Sequence, residues 1–174
     1  MPMLWVTRSD IRVNRAATGW LIRRFIDPGA GFRFVDPDQV ALLQRDHCAI
    51  GFDAPGARYP HQDQLGRCSF EALVQEHRPW DRALRQLAAI VRSADFPDQL
   101  PRSPSGASHP AGMLDRLSLA GHPGAQSSAP LEAVGLRAIS RGFPLVAADD
   151  FETLERSGFL YDSLYAALQE RHGQ

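Results

Sequence analysis

Lysine is absent from the whole 174-residue chain, and the 19 basic side chains are all arginines. That absence removes the chemistries built on a primary amine. A phosphate-cradling loop closed by lysine, a pyridoxal Schiff base and a kinase-type ATP site are all excluded, so no nucleotide cofactor is expected. Cysteine is nearly absent too. Cys48 and Cys68 are too few for a disulfide framework or a four-cysteine zinc site, and a reducing compartment keeps both as thiols. No apolar run approaches the length a bilayer needs, and the N-terminal stretch lacks a signal-type apolar region, so the cytoplasm is the expected location and no membrane partner is expected. A formal net charge of -1 leaves no global field to draw nucleic acid. What remains is the composition of one globular domain, 44% hydrophobic and 22% charged, long enough to bury a real core.

Reactive residue types concentrate between Phe52 and Glu71, in FDAPGARYPHQDQLGRCSFE. Its Pro and Gly content excludes a long helix or a central strand. His61 and Cys68, an imidazole and a thiol, suit a divalent ion such as zinc or iron, although H-x6-C fits no standard zinc-finger spacing. The alternative is a capped loop in which His61 bonds backbone and Cys68 is a small buried apolar residue.

The rest of the chain reads as scaffold. Leu4 to Thr7 forms a strand, Arg15 to Phe25 a helix ended by Asp27-Pro28-Gly29, and Phe32 to Val35 a second strand. Asp36-Pro37 caps a helix through Val40, Leu42 and Leu43, and Ala49 to Phe52 forms the third strand. This order predicts an α/β (or α+β) fold: a small, mainly parallel sheet from the N-terminal third, with its two helices on one face, packed with a mostly helical C-terminal half. Ser69 caps a helix to about His77, with Glu71 in its first turn. The helix Asp81 to Asp95 carries an apolar stripe at Leu84, Leu87, Ala88 and Val91, and the next step along it is Asp95. A carboxylate there needs a partner, either Arg92 three residues earlier or a metal. Residues 97–130 read as a long, partly disordered surface insertion, in which Met113 to Leu119 supplies one turn of helix and His109 and His122 stay solvated. Beyond it, Leu131 to Ser140 is helical, Phe143 to Ala147 extended, and Asp149 caps Phe151 to Arg156. A last helix carries Leu160, Tyr161, Leu164, Tyr165 and Leu168.

As an ordered set, WVTR at the start, R-x-A-x-x-WLIRRFIDP, FDAPG, H-x6-CSFE, IVR-x-AD, AADD and YDSLYA resemble the C-terminal domain family of the ChrB-type chromate resistance proteins. The resemblance runs through nearly the whole chain outside the insertion. It implies a role in bacterial chromate resistance, and in full-length members chromate-responsive regulation of a neighbouring efflux gene. Many relatives have Asp, Cys and Pro where this chain has Asn14, Thr18 and Gly19, and a His-x-x-Asp pair where it has Arg92 and Asp95. If that pair binds metal in them, one ligand is lost here. Full-length regulators add an N-terminal DNA-binding part, and this chain is not expected to bind operator DNA unaided.

Three readings follow. In the first, a sensor or accessory module engages a tetrahedral dianion such as chromate through Arg15, Arg23, Arg24 and Arg92, with Arg8 nearby; guanidinium forks match such an anion, and salt bridges to Asp10, Asp27 and Asp36 are the plain alternative. Arg24 is then expected to be buried with Trp20 and to reach the His61 loop, while Arg23 stays hydrated. In the second, a metal on His61, Cys68, Asp95 and Asp149 activates water or a bound oxyanion in an enzyme. In the third, the domain binds a protein partner, or a second copy of itself, without catalysis.

Overall fold

The structure, a computed structural model, describes residues 2–97 and 129–172. The expected insertion at 97–130, with its Met113 to Leu119 turn, His109 and His122, lies almost wholly outside the described residues.

Three short strands form a parallel sheet in the order β2-β1-β3: β1 Leu4–Arg8, β2 Gly31–Val35 and β3 Ile50–Gly51. Leu4 opposes Gly31 and Trp5 opposes Ile50, so β1 is the central strand. Between β1 and β2 run α1 (Val13–Leu21) and a π-helical turn (Ile22–Ile26), and between β2 and β3 runs α2 (Pro37–His47). The α/β class with its parallel N-terminal sheet is the one expected. The helices, however, lie on opposite faces of the sheet, not on one. Trp5 joins the core made with Ala16, Ala17 and Leu21 of α1, whereas its neighbour Val6 joins a separate cluster with Val40 of α2. The reason is strand order. The chain leaves β1 one way to β2 and crosses back past β1 to β3, and right-handed crossovers in opposite directions put their helices on opposite sides.

Four further helices complete the described chain: α3 Ser69–His77, α4 Arg82–Asp95, α5 Leu131–Val146 and α6 Asp150–His172. Asp81 caps α4 through its bond from the Leu84 amide (2.9 Å), and Leu84, Leu87, Ala88 and Val91 are all buried, as the stripe requires. The cap of α3 is Cys68, one residue before the expected Ser69, in a capping-box arrangement with Glu71, whose carboxylate accepts from the Cys68 amide (2.9 Å). Phe143 to Val146 is not extended but continues α5, with Pro144 inside its last turn. The two C-terminal helical pieces are one unbroken helix, α6. It docks on α1 and α4, burying Tyr161, whose hydroxyl donates to the Val13 carbonyl (2.8 Å), and it brings Tyr165 against Trp20 and Phe25. Among the described residues no helix is long and apolar enough to cross a membrane.

Candidate functional site

The strand order reverses beside β1, so the carboxyl ends of β1 and β3 are where an open parallel sheet forms its ligand crevice. Arg8 ends β1. Asp53 follows β3 with φ +49, a left-handed conformation that Asp tolerates better than most residues. Its carbonyl accepts from Arg8 Nε (2.8 Å), which holds the turn against the strand. The Asp53 side chain, 3% exposed, is contacted from four sides. Oδ1 accepts from Asn14 Nδ2 (3.0 Å) and meets His61 Nδ1 (2.5 Å), while Oδ2 lies 3.5 Å from Arg8 Nη2 and 3.7 Å from Arg15 Nε.

Asn14 and Arg15 come from the first turn of α1. The Asn14 amide is itself fixed: Nδ2 also donates to Ser69 Oγ (3.0 Å), Oδ1 accepts from the Phe70 amide and the Thr18 hydroxyl (3.4 Å each), and Thr18 and Ser69 hydroxyls bond each other (3.2 Å). A buried polar network satisfied this fully holds Asp53 in one place.

Asp95, the last residue of α4, joins this group, its Oδ2 3.7 Å from His61 Nδ1. It is 21% exposed, and that oxygen is shut off from solvent with no hydrogen-bond partner. Burial, reinforced by the charge of Asp53, pushes its carboxyl up to about 6, against the opposing pull of His61, Arg15 and Arg8. The hydrogen bond to Asp53, followed by the charges of both carboxylates, raises His61 above the ordinary imidazole value despite partial burial. Arg15 is lowered by burial, opposed chiefly by Asp53, and its buried Nε also lacks a hydrogen-bond partner. The His61 ring rests on Phe96, with centroids 4.8 Å apart. Among the described residues, Asp53, His61 and Asp95 are the group of His, Cys, Asp and Glu whose ligand atoms lie mutually within 4.8 Å.

Of the candidate metal ligands, then, His61 and Asp95 come together and Cys68 and Asp149 do not join them. Cys68 is buried at the start of α3, where desolvation pushes its thiol far up and keeps it from ionising. Asp149 is exposed and caps α6, its Oδ1 accepting from the Glu152 amide (2.8 Å); its neighbour Asp150 is the residue that reaches back, to the amides of Asp10 and Ile11. Of the candidate anion-binding arginines, Arg15 lines the crevice. Arg92 does not pair with Asp95 but leans onto Glu71 of α3 (3.5 Å), because Asp95 turns into the crevice. Arg23 packs over the Phe32 ring (5.0 Å). Arg24 is not buried and does not approach His61: it is 59% exposed and pairs with Asp162 (3.4 Å), the same carboxylate that Trp20 Nε1 bonds (3.0 Å). The 100° step of an α-helix that would place it inside stops at Leu21, where the wider π turn begins.

Two site residues escape a reading of spacing. Asp53, in FDAPG, looks like turn chemistry, and Asn14 lies just before the helix expected from Arg15; the signal for Asp53 is its position just beyond the third parallel strand.

A family model, ChrB C-terminal domain, matches residues 5–120, a span that includes every residue of the crevice named above. Protein ChrB of Cupriavidus metallidurans is 31% identical over 161 residues, 92% of this chain and 39% of that protein. The chain thus spans about two fifths of the length of that curated relative. No solved structure matches the chain.

Proposed function

Because the chain belongs to the ChrB C-terminal domain family, we propose that it serves chromate resistance as an accessory or sensor module that engages a tetrahedral dianion in the crevice at the ends of β1 and β3. One observation carries this reading: Arg8 and Arg15 converge on one carboxylate oxygen at 3.5 and 3.7 Å, and the Arg15 Nε–H is buried without an acceptor. A buried donor left unmet is costly, by about 1–3 kcal/mol, and an anion oxygen beside Asp53 supplies the acceptor. The rest of the crevice suits such a guest. Arg8 is already oriented by its bond to the Asp53 carbonyl, so little side-chain freedom is lost when the anion arrives. Arg23, Arg24 and Arg92, engaged with Phe32, Asp162 and Glu71, have no part in it.

The test is thermal denaturation with sulfate, molybdate, chromate, phosphate and chloride. The first two anions are non-oxidising stand-ins for chromate's shape and charge. Dianions raise the melting temperature and chloride at matched ionic strength does not, since a ligand that binds only the folded chain stabilises it by mass action. Arg15→Gln abolishes the shift, whereas Arg24→Gln keeps it. Equal shifts in the two variants, or none with any dianion in the wild type, would refute the reading.

A further inference from the structure

We infer that Asp53, His61 and Asp95 hold a divalent first-row cation of the zinc or iron(II) type, and that this cation is the second half of the dianion site, so that metal and oxyanion bind cooperatively. The inference rests on the oxyanion reading for its second clause only.

The ligand geometry comes first. Bonds of about 2.0–2.2 Å from zinc to imidazole nitrogen and carboxylate oxygen put tetrahedral ligand atoms about 3.4 Å apart. The 3.7 Å between His61 Nδ1 and Asp95 Oδ2 is already close to that. The His61–Asp53 contact must open from its present 2.5 Å hydrogen bond, which happens when the bridging proton leaves and the cation takes its place, and the two carboxylate oxygens, within 4.8 Å of each other, must draw in around the ion. The second observation is independent of the first. Asp95 Oδ2 is sealed from water with no donor to meet it, and it is turned toward the ring nitrogen that the cation would share. A carboxylate oxygen stranded in this way needs a cation or a donor.

The surroundings have the form of an outer ligand shell. Asn14 fixes Asp53, and is itself fixed by Ser69, Thr18 and the Phe70 amide. The Phe96 ring lies against the imidazole, tilted 42° to it. Such outer partners orient ligands and raise affinity. One imidazole with two carboxylates is a borderline donor set that favours zinc, iron(II) or manganese over calcium, and three protein ligands leave a coordination position open.

Charge makes the coupling. The Arg8 and Arg15 guanidiniums offset the Asp53 and Asp95 carboxylates, so with neutral His61 the crevice has no net formal charge. A divalent cation gives it a double positive charge, which a dianion cancels. The open coordination position and the unmet Arg15 Nε–H then address the same oxyanion. By linkage, metal must strengthen dianion binding by the same factor as dianion strengthens metal binding.

Calorimetry on the full chain, purified without an affinity tag and stripped by chelator, tests both clauses separately. Zinc is titrated with and without millimolar sulfate, and sulfate is titrated into the metal-free and zinc-loaded protein. One equivalent of zinc is expected, weakened at least about tenfold in Asp95→Asn and in His61→Gln, since loss of even an outer partner of a ligand costs about 10–100-fold. Each ligand is expected to tighten the other about tenfold or more, within the usual span of coupling. Folding of each variant is checked by its metal-free melting curve, and Arg15→Gln is expected to keep zinc binding but lose the coupling. Absence of stoichiometric zinc, or zinc binding unchanged in both ligand variants, overturns the metal site. Sulfate bound equally with and without zinc overturns the coupling while leaving the oxyanion reading standing. Zinc bound normally with no sulfate in either state overturns the coupling and the oxyanion reading together.

Discussion

Replacing Asp95 by asparagine should make the metal-free domain more stable while weakening its hold on metal. Asp95 lies at the end of the buried stripe of α4, and burial with the repulsion of Asp53 holds its carboxyl at about 6 instead of 3.8. An anion displaced that far is less favourable in the folded chain than in the unfolded one by about 3 kcal/mol, at 1.36 kcal/mol per pH unit. Because the folded value is the higher one, the folded chain keeps a proton on Asp95 between pH 3.8 and about 6 that the unfolded chain has released. Stability therefore falls as pH rises through that window and stays low above it. Asparagine keeps the shape and removes the charge. Urea denaturation of chelator-treated protein should show a gain of about 3 kcal/mol for Asp95→Asn at pH 8, narrowing to roughly half that at pH 5, where the wild-type carboxyl is largely protonated. His61 loses one of the two carboxylates that keep it protonated, which trims the gain at the acid end. At pH 8 the variant should melt roughly 6–12 °C higher than the wild type, at 2–4 °C per kcal/mol for a chain of this size. A variant less stable than wild type at pH 8, or a gain that does not shrink on acidification, would refute the account of Asp95 as a strained ligand. Zinc should narrow that difference, since the wild type binds it more tightly and gains more from it.

Asn14→Leu should destabilise by about 2–4 kcal/mol, because it leaves the Asp53 carboxylate, the Ser69 hydroxyl and the Phe70 amide short of a partner at once; a denaturation midpoint equal to wild type would contradict the network. In the native protein one thiol, that of exposed Cys48, should react with a disulfide reagent, and the second, that of buried Cys68, only after unfolding. Two fast-reacting thiols would show Cys68 to be accessible. Gly19→Ala places a Cβ 2.6 Å from Leu154 Cδ1 where α1 packs on α6, and the melting curve should record a loss of about 1–3 kcal/mol from overpacking.

Much of the fold was legible in the chain because its signals are local. Asp36-Pro37 and Asp81 start helices by satisfying or pre-setting the first turn, and the stripe from Leu84 to Val91 names the buried face of α4. What was not legible depends on partners distant in sequence. The face on which α2 lies follows from β3 joining β1 on the side away from β2, and nothing within either segment states that order. Phe143 to Ala147 read as extended, yet α5 runs on through Pro144 to Val146 although that proline has no N–H to give the helix. The site divides in the same way. His61 and Asp95 stood out as an imidazole in a rigid loop and a carboxylate on an apolar stripe. Asp53 did not, because its role comes from Asn14, Arg8 and Arg15, 38 to 45 residues away, closing on a left-handed turn. Arg24 misled through a spacing argument that assumed an α-helix where the backbone had widened.

The position of the crevice explains why one place can serve ions of both signs. Asn14 and Arg15 belong to the first turn of α1, where unpaired amides and the helix dipole favour negative charge. Asp95 is the last residue of α4, where unpaired carbonyls favour positive charge and add to the burden on a buried carboxylate. Side chains from the two helix ends meet at Asp53 and His61. An anion alone would meet Asp95, and a cation alone would meet Arg8 and Arg15, so each single guest has a like charge within reach. A cation seated against α4 together with an oxyanion seated against α1 leaves neither helix end nor either buried charge unanswered. That arrangement uses the unmet Arg15 donor and the unmet Asp95 acceptor at the same time, whereas a single anion or a single cation would satisfy just one of them.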